Sequence, residues 1–236
     1  MSTTYGPGRF EAIINRTITE IESNVKMVGQ YAFANCTQLT SAKFPRAISI
    51  ENCAFQGCTN LKAIIIPKCE LVKANATNLC SNVISLDAKN VVTVEMMGLK
   101  SISVPIIVLP LLTTANSSAF ESNKALTVLD VGNLKAFNNY CFNGNTALNT
   151  LILRKSDTIT ALNNVTAFQN TPFASGGTGG TIYIPKVLYD HLGDGTSLDY
   201  KAASNWSTID GYGTITWAQI EGSQYENYYA DGTQIT

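Results

Sequence analysis

Charge is what this 236-residue chain has least of: only 14% of its residues are Asp, Glu, Lys or Arg, against about 25% in an ordinary soluble domain. Lys plus Arg number 16 and Asp plus Glu 17, so the net charge is −1. With no basic excess there is nothing to hold a phosphate backbone, which excludes nucleic acid as the main partner and electrostatic docking on an anionic membrane. Long apolar runs are missing as well. The best, Val104 to Leu112, is interrupted by Pro105 and Pro110 and falls short of the roughly 18–20 residues of a membrane helix. No membrane insertion is therefore expected. Met1 to Gly8 has neither the basic nor the apolar region of a secretory signal. The hydrophobic fraction is nevertheless 45%, enough for a core, so the low charge is not a mark of disorder.

The patterns of catalysis and metal binding are also missing. There is one histidine, His191. Asp190, Ser197 and Asp199 lie close to it, but all fall in one short helix-loop without a nucleophile elbow, which reads as a cap segment rather than a triad. Cys53 and Cys58 form a close pair without the second pair, or the histidines, that zinc requires. Gly176 to Gly180 precedes a strand, not a helix N-terminus, so it reads as a flexible loop and not a phosphate cradle. Asp194-Gly195-Thr196 lacks the carboxylate spacing of a calcium loop. Matches to the glycosylation sequon at Asn35, Asn75, Asn164 and Asn205 are chance products of an Asn/Thr-rich chain. The expectation is a protein that is not an enzyme and takes no cofactor.

What is present is a repeat. Tyr31-Ala32-Phe33-Ala34-Asn35-Cys36-Thr37-Gln38-Leu39 returns as Cys53-Ala54-Phe55-Gln56-Gly57-Cys58-Thr59-Asn60-Leu61, a step of 22. Cys80 and Val83 lie another 22 on with Thr77 in the Phe position, and Phe120 to Phe142 is again 22. Each anchor leads into an apolar alternation: Leu39, Ala42, Phe44; Leu61, Ile64, Ile66; Val83, Leu86, Ala88; Leu99, Ile102, Val104; Leu126, Leu129, Val131; Leu148, Leu151, Leu153; and finally Ile182-Tyr183-Ile184-Pro185. This is the pattern of short half-buried strands. In this register the anchor steps are 22, 22, 16, 27, 22 and about 31, the fourth turn (Val91 to Val104) is short, and Pro45, Pro67, Pro105 and Pro185 close strands. A 22-residue unit cannot bury its apolar face alone, so the units must stack.

The Ala-Phe-x-x-Cys-x-x-Leu-x-x-Ile-x-Ile-Pro pattern resembles the BspA-like, or Treponema-type, leucine-rich repeats, over about Val25 to Pro185. The ends, Phe10 to Ile21 and Tyr200 to Ser207, resemble a subgroup found in bacterial surface proteins and in phage or prophage proteins. The resemblance implies a right-handed leucine-rich-repeat solenoid with a parallel β-sheet, a convex side that is irregular or built of short helical turns, and a non-catalytic binding or adhesive role at a cell surface or on a phage particle. The division expected is an N-terminal cap over 1–27, about seven turns over 28–185, a C-terminal cap over 186–222, and a polar, Tyr-containing tail over 223–236. Cys36, Cys58 and Cys80 share a phase that Asn123 and Asn145 fill later, which reads as a buried ladder of free thiols.

Strand alternation then points to the outward residues. Position five of the motif gives Lys43, Ile65, Asp87, Ser103, Asp130, Ile152 and Tyr183. Position three gives Ser41, Ser85, Ser101, Thr150 and Thr181, with Ala63 and Val128 between them. These form the candidate binding face, the concave one if the resemblance holds, for a protein or glycan ligand. Tyr183, Trp206, Trp217, Tyr225, Tyr228 and Tyr229 are a second aromatic set, read mainly as cap core. The alternative function is a virion or tail-associated structural subunit that forms a homo-oligomer through its C-terminal region.

Overall fold

The computed structural model describes residues 18–226, and within them each coil of chain has three sides. Numbered along the chain, the longer strands are β1 (Glu20–Glu22), β3 (Ser41–Lys43), β5 (Ala63–Ile65), β7 (Ser85–Asp87), β9 (Ile106–Leu109), β11 (Val128–Val131), β13 (Thr150–Leu153), β15 (Gly180–Ile184) and β16 (Ile215–Gln219). Between them lie two-residue strands: β2 (Met27–Val28), β4 (Ser49–Ile50), β6 (Leu71–Val72), β8 (Thr93–Val94), β10 (Thr114–Ala115), β12 (Ala136–Phe137) and β14 (Ala161–Leu162). Every pairing is parallel, between one coil and the next. The short strands form one continuous seven-stranded sheet, whereas the longer ones form a four-stranded and a five-stranded sheet with a break between β7 and β9. The fold is a leucine-rich-repeat solenoid, and one apolar core runs through it from Val25 to Ile209.

The third side contains no strand, yet its backbone is equally satisfied. Tyr31, Phe33 and Asn35 donate their N–H groups to Asn52, Ala54 and Gln56 of the next coil at 3.1, 2.8 and 2.7 Å, while Ala32, Ala34 and Cys36 bond back to Gly29, Tyr31 and Phe33. This alternation places a left-handed residue at each end of the segment. Two columns of positive φ result: Tyr31, Cys53, Asn75, Met97, Ser118 and Tyr140, and four residues further on Asn35, Gly57, Leu79, Ser101, Ser122 and Gly144. Only two of these twelve are glycine, so most coils carry the left-handed cost on a side chain.

Side chains stack in register inside. Phe33 lies on Phe55 with ring centroids 5.6 Å apart and 10° between planes, and Phe120 on Phe142 at 5.8 Å and 16°. In the gap, Thr77 takes the Phe position and satisfies its buried hydroxyl on the carbonyls of Gly98 and Lys100. Three members of the Cys/Asn column share one job. Cys58 and Cys80 donate Sγ–H to the carbonyls of Phe33 and Phe55, both at 2.9 Å, and the Asn123 amide does the same to Leu99 at 2.8 Å. Asparagine also accepts from the previous coil, through Ile102 N–H on Asn123 and Asn123 N–H on Asn145. All six cysteines are buried and reduced, as parallel side chains in a ladder require. Burial pushes the Cys69 and Cys141 thiols up to about 12.

The same hydrogen bonds correct the fourth turn. Leu99 N–H bonds to Ala119 where Phe55 bonds to Ala76, so Leu99 stands in the Phe column and not at an anchor. Ile102 stands in the Cys/Asn column. Val104 follows after one residue fewer than elsewhere and takes the Leu anchor, giving anchors at 39, 61, 83, 104, 126 and 148 and a single step of 21. The strand of this coil is β9, which starts at Ile106; Leu99 to Val104 is not a strand. Pro105 opens β9, and Pro110 closes it. Lys62, Ile84 and Thr127 donate their N–H to the coil before, but Pro105 in the same position has none to give, which is why the long-strand sheet breaks there.

The ends differ from the sequence reading in detail. β1 pairs with β3 and extends the sheet beyond the repeat. After Pro185 come two short helices, α1 (Lys186–Tyr189) and α2 (Trp206–Asp210), and the closing segment is a parallel strand, β16 on β15. Residues 1–17 of the expected N-terminal cap lie outside the described residues.

Two predictions follow from the backbone and the thiols. Leu79 is 56% exposed and left-handed, so Leu79→Gly raises the melting temperature by about 2 °C, close to 1 kcal/mol. Gly144→Ala lowers stability by about 1 kcal/mol through backbone strain alone. Gly57→Ala lowers it further, because its Cβ would run into the Asn35 carboxamide. In the unfolded chain a thiol titrates near 8.5, so the stability held by the protonated Cys69 and Cys141 is complete below that pH and is lost as pH climbs toward 12. Urea midpoints fall between pH 8 and 10.5, and Cys69→Ala makes the fall shallower by up to ~1.4 kcal/mol per pH unit.

Candidate functional site

The outer face of the long-strand sheet carries two parallel rows. Ser41, Ala63 and Ser85 are register partners, as are Lys43, Ile65 and Asp87. Beyond the break the rows continue as Ile106, Val128, Thr150 and Thr181, and as Val108, Asp130, Ile152 and Tyr183. Ten of the twelve expected residues thus share this face. Ser101 and Ser103 do not: Ser101 is in the second left-handed column, and Ser103 is at the corner before the anchor, its hydroxyl on the Ser81 carbonyl. The one-residue deletion moved them out of phase. Ile106 and Val108 stand in their places. The signal for them was in the sequence: an apolar run bracketed by Pro105 and Pro110, 22 residues before Val128.

The two ends of the face differ. Asp130 and Ile152 point outward and yet are fully buried, because the chain after β16 turns back over them. Ile220 and Tyr225 pack on Ile152, Val128 and Tyr183 as a second small apolar cluster. The Tyr225 ring meets Tyr183 edge-on at 4.7 Å. Arg154 anchors the strap with its guanidinium fork, Nε to Asp130 Oδ1 at 2.8 Å and Nη2 to Oδ2 at 2.7 Å, and with Nη2 on the Tyr225 carbonyl at 3.0 Å. Burial holds the Asp130 carboxyl above its ordinary pKa, against the lowering pull of Arg154. The face around the break is open. Ile106 is 45% exposed, with half-buried Ile65 and Val108 in the neighbouring row, Ser85 and Asp87 between them, Lys43 beyond, and Ile84, 60% exposed, at the corner just before β7.

The remaining groups are structural. Tyr200 and Trp206 are buried in the cap and both bond to Thr160, the Tyr hydroxyl accepting from its N–H at 2.8 Å and the indole donating to its carbonyl at 2.7 Å. Half-buried Trp217 donates to Asp210. Tyr228 and Tyr229 lie outside the described residues. His191 bonds Asp194, not Asp190 or Asp199; Asp190 pairs with Lys186, and the Asp199 carboxylate accepts backbone N–H groups of Gly195 and Lys201. Among the described residues, no three His, Cys, Asp or Glu side chains are grouped to hold a metal, and no helix is long and apolar enough to cross a membrane.

Comparison with known proteins agrees with this architecture. The family model of the BspA type leucine-rich repeat region matches six copies, over residues 3–99 and 95–176. A leucine-rich repeat protein from Bacteroides ovatus superposes with a TM-score of 0.52 at 18% identity, over 69% of this chain and 48% of its own. A leucine-rich cell surface protein from Faecalibacterium prausnitzii gives 0.40 at 18%, over 71% of this chain and 53% of its own. The chain thus spans about half the length of the solved structures it matches. No curated protein matches it.

The strap makes a test of the buried ion pair. Arg154→Met leaves the Asp130 carboxylate covered and unpaired, and lowers stability at pH 7 by about 2–3 kcal/mol. The loss is smaller near pH 4.5: the carboxyl keeps its proton more readily in the folded state, so the penalty appears as pH rises through its pKa. Asp130→Leu combined with Arg154→Met restores most of it. Urea denaturation at the two pH values reads all three.

Proposed function

This chain belongs to the BspA-type leucine-rich repeat family, and from that premise we propose that it is a non-enzymatic binding protein that works at a bacterial surface and holds a protein partner on the open part of its long-strand sheet. The surface placement comes from the family; the partner class comes from the face. The observation that carries it is the aliphatic group Ile65, Ile84, Ile106 and Val108, left uncovered while the strap shields its counterpart, Val128 and Ile152. An apolar centre crossed by Ser85 and Asp87, with Lys43 beside it, is the anatomy of a protein interface. A sugar would instead need an aromatic ring to stack on, and this part of the face has none.

A protein array probed with the full chain tests this. Ile84→Asp with Ile106→Asp removes binding by at least about tenfold, whereas Ile48→Asp, exposed elsewhere on the coil, leaves it unchanged. Because the apolar centre dominates, affinity changes less than about threefold between low and high salt. Retention of all array partners by the double variant, with an unchanged melting temperature, overturns the reading.

A further inference from the structure

The regular repeat ends after Leu148, and the next coil is lengthened. The anchor step from Leu148 grows by three residues between β13 and β14, where Ala136 pairs with Ala161, and by the loop from the 3-10 turn Val165–Phe168 up to β15. α2 packs against that turn, and the chain after α2 brings Tyr212 up beside it. An open cleft of about 460 Å³ is left between the last regular coil and the cap, walled by Tyr140, Tyr212, Thr166, Gln169, Asn170 and Ser175. That volume is within the roughly 300–1,000 Å³ of small-molecule sites. The cleft lies on the left-handed side of the coil, away from the two sides that carry strands.

We propose that this cleft is a binding site for a neutral carbohydrate. No lining residue is charged, so nothing in it selects a phosphate, a carboxylate or an ammonium group. Its two tyrosines, 43% and 38% exposed, present flat apolar rings with a polar tip, the surface on which a pyranose stacks its C–H face. Tyr140 and Asn170 are both left-handed, at φ 57°. The hydrogen-bonding groups are available. Among the described residues the side chains of Gln169, Ser175 and both tyrosines bond to no other residue, and Asn170 uses only its amide nitrogen, on Asn143. Thr166 Oγ1 is buried with no partner at all, and a buried hydroxyl without one carries a desolvation cost that a sugar hydroxyl would relieve. A ligand that is flat and apolar on one side and ringed with hydroxyls matches both halves of this wall.

The test is calorimetric titration of the full chain with maltose, lactose, chitobiose and mannobiose to about 10 mM, ten times a weak millimolar site, beside a sialylated and a sulfated sugar. At least one neutral disaccharide binds saturably, and Tyr140→Ala or Tyr212→Ala weakens it at least tenfold without lowering the melting temperature. Tyr140→Phe, which keeps the ring, retains most of the affinity. Ile84→Asp with Ile106→Asp has no effect, so the site stands or falls separately from the sheet face. Saturable binding by none of the neutral sugars, binding of the charged sugars alone, or affinity that survives both alanine variants overturns the proposal.

Discussion

Each coil of this protein leaves its backbone N–H and C=O groups pointing along the stack, and only the next coil can satisfy them. On two sides of the coil this produces parallel ladders. On the third it produces an alternation in which every second N–H goes to the next coil and the others bond back three residues. That requirement sets the repeat length, because a coil must return every donor to the same height as its acceptor. It also accounts for the left-handed residues: Leu79, Met97 and Tyr140 adopt a conformation they would avoid in isolation because the coil-to-coil bonds on either side leave no other path.

Stacking like on like also explains why so little of the chain is charged. A column of one charge would repel itself along the sheet. Where charge does appear, it alternates in sign between coils: Glu22 is the register partner of Lys43, Glu51 lies 2.6 Å from Lys73, Lys100 lies 3.2 Å from Glu121, and Asp130 is paired with Arg154. Uncharged Ser, Thr and Asn fill the other outward positions and bond to neighbouring backbone, as Asn60 and Asn82 do to Thr37 and Thr59.

Departures from the repeat are where the surface becomes distinctive. The missing residue before Val104 and the missing N–H of Pro105 break one sheet and leave Ile84 and Ile106 uncovered there. The lengthened coil after Leu148 holds the cap away from Tyr140 and so makes the cleft. The chain after β16 covers the far end of the sheet face. A perfect stack would present the same surface at every coil; the irregular coils give each region its own chemistry.

The repeat unit and the buried columns of Phe, Cys and Leu were legible in the residues, since a 22-residue period with strand alternation states which side chains must lie above one another. The Cys-to-Asn exchange was legible for the same reason, both being small donors at one bend. The fourth coil was not. A single deletion lets Leu99, Ile102 and Val104 imitate the strand pattern, and only the bonds of Leu99 to Ala119 and of Ile102 to Asn123 show which columns they occupy. Nor could the period say that Asp130 and Ile152 are covered, because Arg154 and Tyr225 are 71 residues apart and meet only in the folded chain. The sequence by itself determined the period and the inward face, which depend on neighbours one coil away. Tertiary structure alone decided which outward residues remain exposed, because covering them depends on a strap and a cap that obey no repeat.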